Sequence, residues 1–173
     1  ADRIAIVTGA SSGLGAAIAR ELAARGKVSA IALVARRADR LEEMSRELKL
    51  IAPHLEVETI TADLVEPNTA CEVIERTTQR FGRIDLLINN AGLGLPTLFA
   101  DAPPENLSRQ IAVNFTAPLM LGRFAIPWLA RRKGMIINIG SAITCIPNSA
   151  LGAYGATKSG LAYWSEALRR EVR

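Results

Sequence analysis

A glycine-rich turn is the first part of the sequence whose residue types and spacing suit chemistry. It reads Thr8-Gly9-Ala10-Ser11-Ser12-Gly13-Leu14-Gly15 and lies between an apolar run and an amphipathic stretch. Glycines let the backbone turn tightly and approach a phosphate, while the N-terminus of a following helix supplies N–H donors and a positive dipole end. The turn predicts a pyrophosphate site, although its spacing, G-x-x-x-G-x-G, differs from the more familiar G-x-G-x-x-G.

The same residues allow a second interpretation. Residues 9–13 spell G-x-S-x-G, the nucleophile elbow of α/β-hydrolases, which also lies between a strand and a helix. Such a hydrolase needs a histidine that follows the serine and an acid along the chain. The single histidine, His54, lies beside Pro53 in an early connection. The sequence therefore favours a phosphate site over a nucleophilic Ser11.

Two arginines indicate which nucleotide the turn would bind. In dinucleotide-binding folds an acidic residue about 20 positions after the glycines holds the ribose 2′-hydroxyl of NAD. Counting from Gly15 reaches Ala35, which is followed by Arg36 and Arg37. A guanidinium pairs with a phosphate, so we expect NADP(H) in preference to NAD(H), with Arg36 favoured because it comes first after the strand. The alternative is that both arginines only begin a solvated helix.

Further polar groups follow the later strand-like runs in order. They are Asp63 after the third run, Asn89-Asn90-Ala91-Gly92 after the fourth, Asn114, Ser141 after the fifth, and Tyr154-Gly155-Ala156-Thr157-Lys158. With these motifs the sequence resembles the short-chain dehydrogenase/reductase family, in the subgroup with TGxxxGxG, NNAG and YxxxK motifs. The resemblance runs from Ile4 to the last residue, and the ordered set is far more specific than any single motif.

The resemblance implies four catalytic residues. Tyr154 matches the family's general acid/base, which gives a proton to a carbonyl oxygen while NADPH delivers hydride to the carbon. Lys158 lies four residues on, on the same helix face, where its ammonium stabilises the phenolate. Ser141 matches the residue whose hydroxyl orients the carbonyl oxygen. Asn114 matches the residue that holds a proton-relaying water.

The resemblance also implies which residues hold the cofactor. They are Gly9, Ser11, Ser12, Gly13, Leu14, Gly15, Arg36, Arg37, Asp63, Leu64, Asn90, Ala91, Gly92, Tyr154 and Lys158. Among them Asp63 matches the residue that bonds the adenine amine, and a helix N-cap is its alternative role. No metal site is expected, because one histidine rules out a His-rich zinc site.

Alternating strands and helices must position these groups. The predicted strands are Ile4 to Thr8, Val28 to Ala35, Leu55 to Thr61, Ile84 to Asn89 and Met135 to Ile139. The predicted helices are 13–25, a second stretch with Leu41, Met44, Leu48 and Ile51 on one face, 67–81, 104–132 and 154–172. Apolar strands alternating with helices predict a three-layer α/β fold, a doubly wound parallel sheet of the Rossmann type with its site at the carboxyl ends of the strands. Pro118 and Pro127 predict a kink or break in the fourth helix.

Composition and charge restrict the class of protein. The chain has 173 residues, 49% apolar and 22% charged, which fits one NAD(P)-binding domain over residues 1–173. Two cysteines are too few for a secreted disulfide framework and no apolar run reaches about 18 residues, so we expect a cytoplasmic protein without a membrane span. The net charge of +4 arises in the second half, where basic clusters suit helix ends. No aromatic stripe accompanies them, so nucleic acid is not an expected partner.

The residues that flank the predicted site indicate the substrate class. Residues 93–99 and 142–147 are mostly apolar and uncharged, which favours a small hydrophobic ketone, aldehyde or alcohol. An acyl group on an acidic carrier protein is an alternative. Together with the arginines after the second strand, the resemblance implies an NADP(H)-dependent oxidoreductase acting on CH–OH groups. The alternative is a non-catalytic NADP(H)-binding sensor or scaffold of the same fold, which would not need Ser141, Tyr154 and Lys158 together.

Two further expectations come from the resemblance. Family members usually form homodimers or homotetramers through the fourth and fifth helices. Such a face could use Ala117, Leu121, Ala125, Leu161, Tyr163 and Leu168, and burial in the core of the chain is the alternative for several of them. Members also continue beyond the helix that carries the YxxxK motif, with two more strands and a substrate-covering loop. A further βαβ unit takes roughly 30 or more residues. We therefore expect the C-terminal strands to be missing from this sequence.

Overall fold

Residues 2–172, which the computed structural model describes, form a five-stranded parallel sheet. Its strands are β1 (Ile4–Thr8), β2 (Ala30–Ala35), β3 (Glu56–Thr61), β4 (Leu86–Asn89) and β5 (Met135–Asn138). The order across the sheet is β3-β2-β1-β4-β5, and Val7 lies in register with Leu33 of β2 and Ile88 of β4. After β3 the chain crosses to the other side of β1. This reversal of strand order places a crevice at the carboxyl ends of β1 and β4.

Helices cover both faces of the sheet. Within residues 2–172 the α-helices are α1 (Gly13–Ala24), α2 (Ala38–Ile51), α3 (Thr69–Phe81), α4 (Pro104–Ile111), α5 (Ala117–Ala130) and α6 (Gly152–Glu171). Alternate strand residues point to opposite faces, so Ala5 and Val7 pack with α1 and α2, whereas Ile6 packs with α3 and α5. This arrangement confirms the predicted doubly wound α/β fold. In the same residues we find no helix that combines the length and apolar character needed to cross a membrane.

The central strands are apolar throughout, but the edge strand β3 is not. All residues of β1 and β2 are buried, as expected for strands covered on both faces. By contrast, β3 carries Glu56 and Glu58, which form ion pairs with Arg80 and Arg76 of α3. An edge strand has one side open to solvent and tolerates polar residues there. The expectation of uniformly apolar strands is therefore wrong for β3.

The fourth predicted helix is interrupted. In place of one helix over 104–132, the structure has α4, a π-helical segment Ala112–Thr116 and α5. The interruption precedes both prolines, since Pro118 lies in the first turn of α5 and Pro127 lies within that helix. Proline has no N–H, so Pro118 cannot donate to the carbonyl of Asn114 four residues earlier. The wider hydrogen bonding of the π-helical segment accommodates this missing donor.

A chain of polar side chains anchors α6 to the sheet. Asn89 Nδ2 donates to Asn138 Oδ1 at 2.8 Å, and Asn138 Nδ2 donates to Ser165 Oγ at 2.7 Å. Ser165 in turn donates to the Leu161 carbonyl at 2.7 Å within α6. These bonds run from β4 through β5 into the helix that carries the YxxxK motif. They fix the position of that helix relative to the strand ends.

The apolar face predicted for self-association is mostly buried within the chain. Ala117, Leu121, Ala125 and Leu161 pack in the interior, whereas Tyr163 is 81% exposed. Leu121 and Ala125 pack with residues of the sheet because α5 is one of its covering helices. The structure thus supports burial in the core for these four residues, and an association surface would need exposed residues such as Tyr163.

Candidate active site

The glycine turn brings two backbone segments into direct contact. Gly9 has a φ of 68°, in the left-handed region that favours glycine. A Cβ atom at Gly15 would lie 2.4 Å from the Gly9 carbonyl oxygen and 2.4 Å from Nδ2 of the Asn90 side chain. Ser12, at the N-cap of α1, makes no side-chain capping bond. The first N–H groups of α1 are therefore not capped by Ser12 and suit an anion.

Thr8 fastens the NNAG turn to the glycine turn. Its hydroxyl accepts hydrogen bonds from the backbone N–H groups of Asn90 and Ala91, each at 3.0 Å, and donates to the Ile88 carbonyl at 3.3 Å. The Asn90 side chain donates to the Thr8 carbonyl at 2.8 Å. Thr8 has no role in the sequence-based prediction, although a polar residue that ends an otherwise apolar strand is a detectable signal.

A cleft of about 280 Å³ opens at the carboxyl ends of β1, β2 and β4. The predicted cofactor residues that line it are Gly9, Ser11, Ser12, Arg36, Arg37, Asp63, Leu64, Asn90, Ala91 and Gly92. Gly13, Leu14 and Gly15 form the first turn of α1, where the Leu14 side chain is 55% exposed. The fold thus gathers the glycine turn, both arginines and the NNAG motif around one cavity.

Arg37 is bonded to the glycine turn. Its Nη2 donates to the Ser12 hydroxyl at 2.8 Å and to the Ser11 hydroxyl at 3.0 Å. The guanidinium therefore lies against the turn, on the wall of the cleft, where a phosphate on a ribose would pair with it. The sequence favoured Arg36, the first residue after β2. In the structure Arg37 is the arginine that contacts the turn.

A carboxylate of the cleft lies near two other arginines. Asp63 Oδ2 accepts a hydrogen bond from Arg109 Nη2 at 3.1 Å and lies 3.9 Å from Arg36 Nη1. Asp63 Oδ1 accepts from the backbone N–H of Val65 at 3.2 Å. Arg109 comes from α4, and no sequence pattern links it to a carboxylate 46 residues away. With three arginines and one carboxylate, the cleft suits a ligand rich in phosphate.

Lys158 is buried between α6 and the end of β5. Its side chain is 3% exposed, and Nζ donates to the Ile139 carbonyl at 2.7 Å. Burial lowers the pKa of this ammonium, because desolvation penalises its charged form. Nζ lies 6.0 Å from the centroid of the Tyr154 ring, one helical turn earlier. The structure thus holds an amine in poor contact with water beside a phenol.

Ser141 approaches the same corner from β5. It follows the strand by three residues and begins a short 3-10 turn, Ala142–Thr144. Its hydroxyl accepts a hydrogen bond from the Ile143 N–H at 3.3 Å, which leaves the hydroxyl hydrogen for a ligand. A Cβ atom at Gly155 would lie 3.6 Å from Ile143 Cγ1. The turn therefore packs on α6 beside the residue that follows Tyr154.

Asn114 is fully buried behind Lys158. Its Nδ2 donates to the Leu93 carbonyl at 2.8 Å and to Thr157 Oγ1 at 3.2 Å, and its Oδ1 accepts from the Leu93 N–H at 2.7 Å. The side chain thus holds the segment after β4. Its backbone carbonyl cannot receive the usual helical hydrogen bond from residue 118, because that residue is a proline.

The cleft and the corner that holds Ser141, Tyr154 and Lys158 adjoin at Gly92. This residue lines the cleft, and a Cβ atom built on it would lie 3.6 Å from Asn114 Oδ1 and 3.7 Å from Lys158 Nζ. The cleft that the glycine turn lines is thus continuous with a corner that holds a hydroxyl, a phenol and a buried amine. Such a corner suits proton transfer at a carbonyl oxygen. Across residues 2–172, no three His, Cys, Asp or Glu side chains gather as metal ligands.

Known proteins match the chain along nearly all of its length. A family model described as short chain dehydrogenase matches residues 3–173. A relative from Arabidopsis thaliana, named 11-beta-hydroxysteroid dehydrogenase-like 2, is 36% identical over 171 residues, which are 98% of this chain and 54% of that protein. The chain spans about half the length of the first curated relatives that it matches.

Two solved structures share both sequence and fold with the chain. An alcohol dehydrogenase from the archaeon Thermococcus sibiricus, complexed with 5-hydroxy-NADP, is 30% identical with a TM-score of 0.93, over 99% of this chain and 72% of that one. L-sorbose reductase from Gluconobacter frateurii, complexed with NADPH and L-sorbose, is 34% identical with a TM-score of 0.93, over 99% of this chain and 65% of that one.

Proposed function

Because the chain belongs to the short-chain dehydrogenase family, we propose that the protein is an NADP(H)-dependent oxidoreductase that interconverts a ketone or aldehyde and an alcohol. One observation carries the proposal: the buried Lys158 amine lies 6.0 Å from the Tyr154 ring, at the point where the cleft ends. Burying a group that is normally charged is costly. Its position beside a phenol and next to Gly92 of the cleft is explained by chemistry better than by stability.

The cleft fits NADP(H) as the cofactor. The glycine turn and the N-terminus of α1 would hold the pyrophosphate, Asp63 and Leu64 the adenine, and residues 90–92 the adjoining ribose. Arg36 and Arg37 supply positive charge for a 2′-phosphate, a group that NAD(H) lacks. The two solved relatives described above were crystallised with an NADP-type molecule, which supports the same choice here.

Tyr154, Ser141, Lys158 and Asn114 would divide the proton chemistry. When bound, NADPH supplies the hydride that reduces a carbonyl carbon. The Ser141 hydroxyl donates to the carbonyl oxygen and orients it, and the Tyr154 hydroxyl gives its proton to that oxygen as negative charge develops. The Lys158 ammonium stabilises the phenolate that remains. A water on the Asn114 carbonyl would return a proton to this pair, and in the reverse direction Tyr154 acts as the base.

The proposed substrate is hydrophobic. Leu98 and Phe99 are 56% and 75% exposed on one flank of the site, and Ile146 is 71% exposed on the other. Exposed apolar side chains around a cleft favour an apolar ligand. One relative is named for a hydroxysteroid and one solved neighbour holds a sugar. Apolar ketones are therefore the class to test first, with a ketose sugar as the contrast.

NADPH oxidation by the full-length protein, measured across a panel of hydrophobic ketones, tests the proposal. The variant is Tyr154→Phe, and the matched control is Tyr163→Phe, the same change at an exposed position of the same helix. We expect Tyr154→Phe to keep most of its NADPH affinity, because the remaining cofactor residues are intact, and to lose about 10²- to 10⁴-fold in turnover. Tyr163→Phe should behave as wild type. Turnover by Tyr154→Phe at the wild-type rate would overturn the acid/base role of Tyr154. A wild type that binds NADPH and reduces no ketone would favour the sensor alternative.

A further inference from the structure

Gln110 is a buried amide that the proposed mechanism does not use. It lies on α4, one helical turn before Asn114, and is 1% exposed. Its Oε1 accepts a hydrogen bond from the Leu95 N–H at 3.2 Å, and its Nε2 donates to the Asn106 carbonyl at 3.4 Å. A buried amide costs free energy unless both of its ends are bonded. An apolar side chain would fill the same space at lower cost, so the position of Gln110 is explained by the backbone that it holds.

Gln110 and Asn114 bind alternate residues of one segment. Asn114 bonds both backbone groups of Leu93, at 2.7 and 2.8 Å, and Gln110 bonds the N–H of Leu95. Two residues further on, the N–H of Thr97 donates at 2.8 Å to a backbone carbonyl just before α6. The segment is thus hydrogen-bonded at every second residue. The first two of these residues bond to α4 and the π-helical segment after it, and the third bonds to the 3-10 turn just before α6.

We call residues 93–97 the strap. Its fastened residues are half-buried, whereas the residues between them, Gly94 and Pro96, are exposed. A Cβ atom at Gly94 would lie 3.6 Å from Tyr154 Cδ2, so the exposed edge of the strap lies against the phenol ring. The distance between the strap and Tyr154 therefore sets the width of the space beside a reacting carbonyl.

We propose that Gln110 is a positioning residue that, by holding Leu95, fixes the strap beside Tyr154 and so makes the site favour ketones with a large apolar substituent. This inference rests on the proposed function. An apolar substituent gains most from a wall that is already in place, because ordering a mobile segment on binding costs conformational entropy. A small ketone has no substituent to lie against the strap and gains little from its order.

Kinetics of Gln110→Met in the full-length protein test the inference. Methionine matches glutamine in length but has no amide, and Gln79→Met on the exposed face of α3 is the matched control. We expect the KM for a phenyl ketone to rise about fivefold, the effect of one ordinary hydrogen bond, with kcat, the KM for acetone and NADPH affinity nearly unchanged. A purely structural role would alter all of these together. Equal shifts for both ketones, or no shift for either, would overturn the inference.

Amide hydrogen exchange tests the same contact without catalysis. In Gln110→Met the Leu95 amide is expected to exchange about tenfold faster, since it loses the hydrogen bond that protects it. The Leu33 amide of β2 should stay protected, which would show that the fold is intact. Gln110→Asn keeps a buried amide that is too short to reach Leu95 and should give the same result. Unchanged exchange at Leu95 in both variants would overturn the inference. Failure of the proposed function would show differently, as a wild type with no turnover of any ketone.

Discussion

The Lys158 amine donates a 2.7 Å hydrogen bond to the Ile139 carbonyl. Ile139 is the first residue after β5, and Lys158 lies in the second turn of α6. One bond therefore connects the end of the edge strand to the proposed catalytic helix and fixes an amine inside the protein. Charged groups held in this way commonly serve activity at the expense of stability.

Lys158→Met is expected to stabilise the fold. Burial lowers the pKa of Lys158 in the folded protein below its ordinary 10.5. Below the folded pKa the unfolded chain carries this charge in water at no cost, so burial destabilises the native state, and that cost disappears as the pH rises to 10.5. Removing the amine should therefore raise the unfolding free energy at pH 7 by about 1 kcal/mol. The gain should shrink toward pH 10.

Thermal unfolding at pH 7 and pH 10 measures this difference. Lys49→Met, a change at an exposed position of α2, is the control and should alter stability little at either pH. A Lys158→Met protein that is less stable than wild type at pH 7 would show that the bond to Ile139 outweighs the cost of burial.

Arg36→Ala and Arg37→Ala are each expected to weaken NADPH binding and to leave NADH binding nearly unchanged. Both side chains line the cleft, and a hydrogen bond to a charged group contributes about 1.5 to 3 kcal/mol. Fluorescence titration with the two cofactors measures the difference. Arg40→Ala is the control, because this exposed arginine pairs with Glu43 on α2. Equal losses for NADPH and NADH would contradict the assignment of these arginines to the 2′-phosphate.

Thr8→Val is expected to weaken the binding of NADPH and the binding of NADH by the same factor. Valine keeps the shape of threonine but leaves the Asn90 and Ala91 N–H groups without their acceptor, which should lower the unfolding free energy by about 1 to 3 kcal/mol. Because the NNAG turn then loses its attachment, NADPH and NADH should lose affinity alike. Denaturant unfolding and cofactor titration measure the two effects. Thr61→Val, at the exposed end of β3, should change neither quantity.

Asp85→Asn is expected to destabilise the protein in a pH-dependent way. Burial acts to raise the pKa of Asp85, but the hydrogen bonds from Arg83 and the Ile4 N–H outweigh it and lower the pKa below its ordinary 3.8. The carboxylate therefore contributes stability above that pH, and the contribution is lost as the pH falls through the folded pKa. At pH 7 we expect a loss of about 2 kcal/mol.

Urea unfolding from pH 7 down to pH 3 checks the Asp85 prediction. The difference between wild type and Asp85→Asn should narrow below pH 4, and Asp101→Asn, at an exposed position, should match wild type throughout. A difference that stays constant over this range would mean that the ionised carboxylate is not the source of the stability.

Local sequence patterns predicted most of the strands and helices and the parallel sheet. The bounds of β1 agree residue for residue with the prediction, and the parallel sheet follows from apolar runs that alternate with amphipathic stretches. The break in the fourth helix is confirmed, but the sequence did not give its position, because a proline does not specify where the preceding helix widens. The second helix was correctly located, although Ile51 is exposed at its end.

Contacts between distant residues were beyond the reach of sequence patterns. The Arg109–Asp63 pair spans 46 residues and the Thr8–Asn90 bond spans 82. From the sequence alone, Gln110 is a polar residue on an ordinary amphipathic helix. Only the fold shows that its side chain faces inward and bonds Leu95. Motifs locate the chemistry of this site, whereas tertiary packing determines which neighbours hold each group in place.

Transfer of deuterium from the cofactor to the product tests the central claim most directly. The full-length protein is mixed with a hydrophobic ketone and NADPH that carries deuterium at both C4 positions, and the mass of the alcohol is measured. We predict one deuterium in each alcohol molecule, with almost no alcohol formed by Tyr154→Phe in the same time. Alcohol without deuterium, or alcohol formed equally fast by Tyr154→Phe, would contradict the proposed hydride transfer and the proton role of Tyr154.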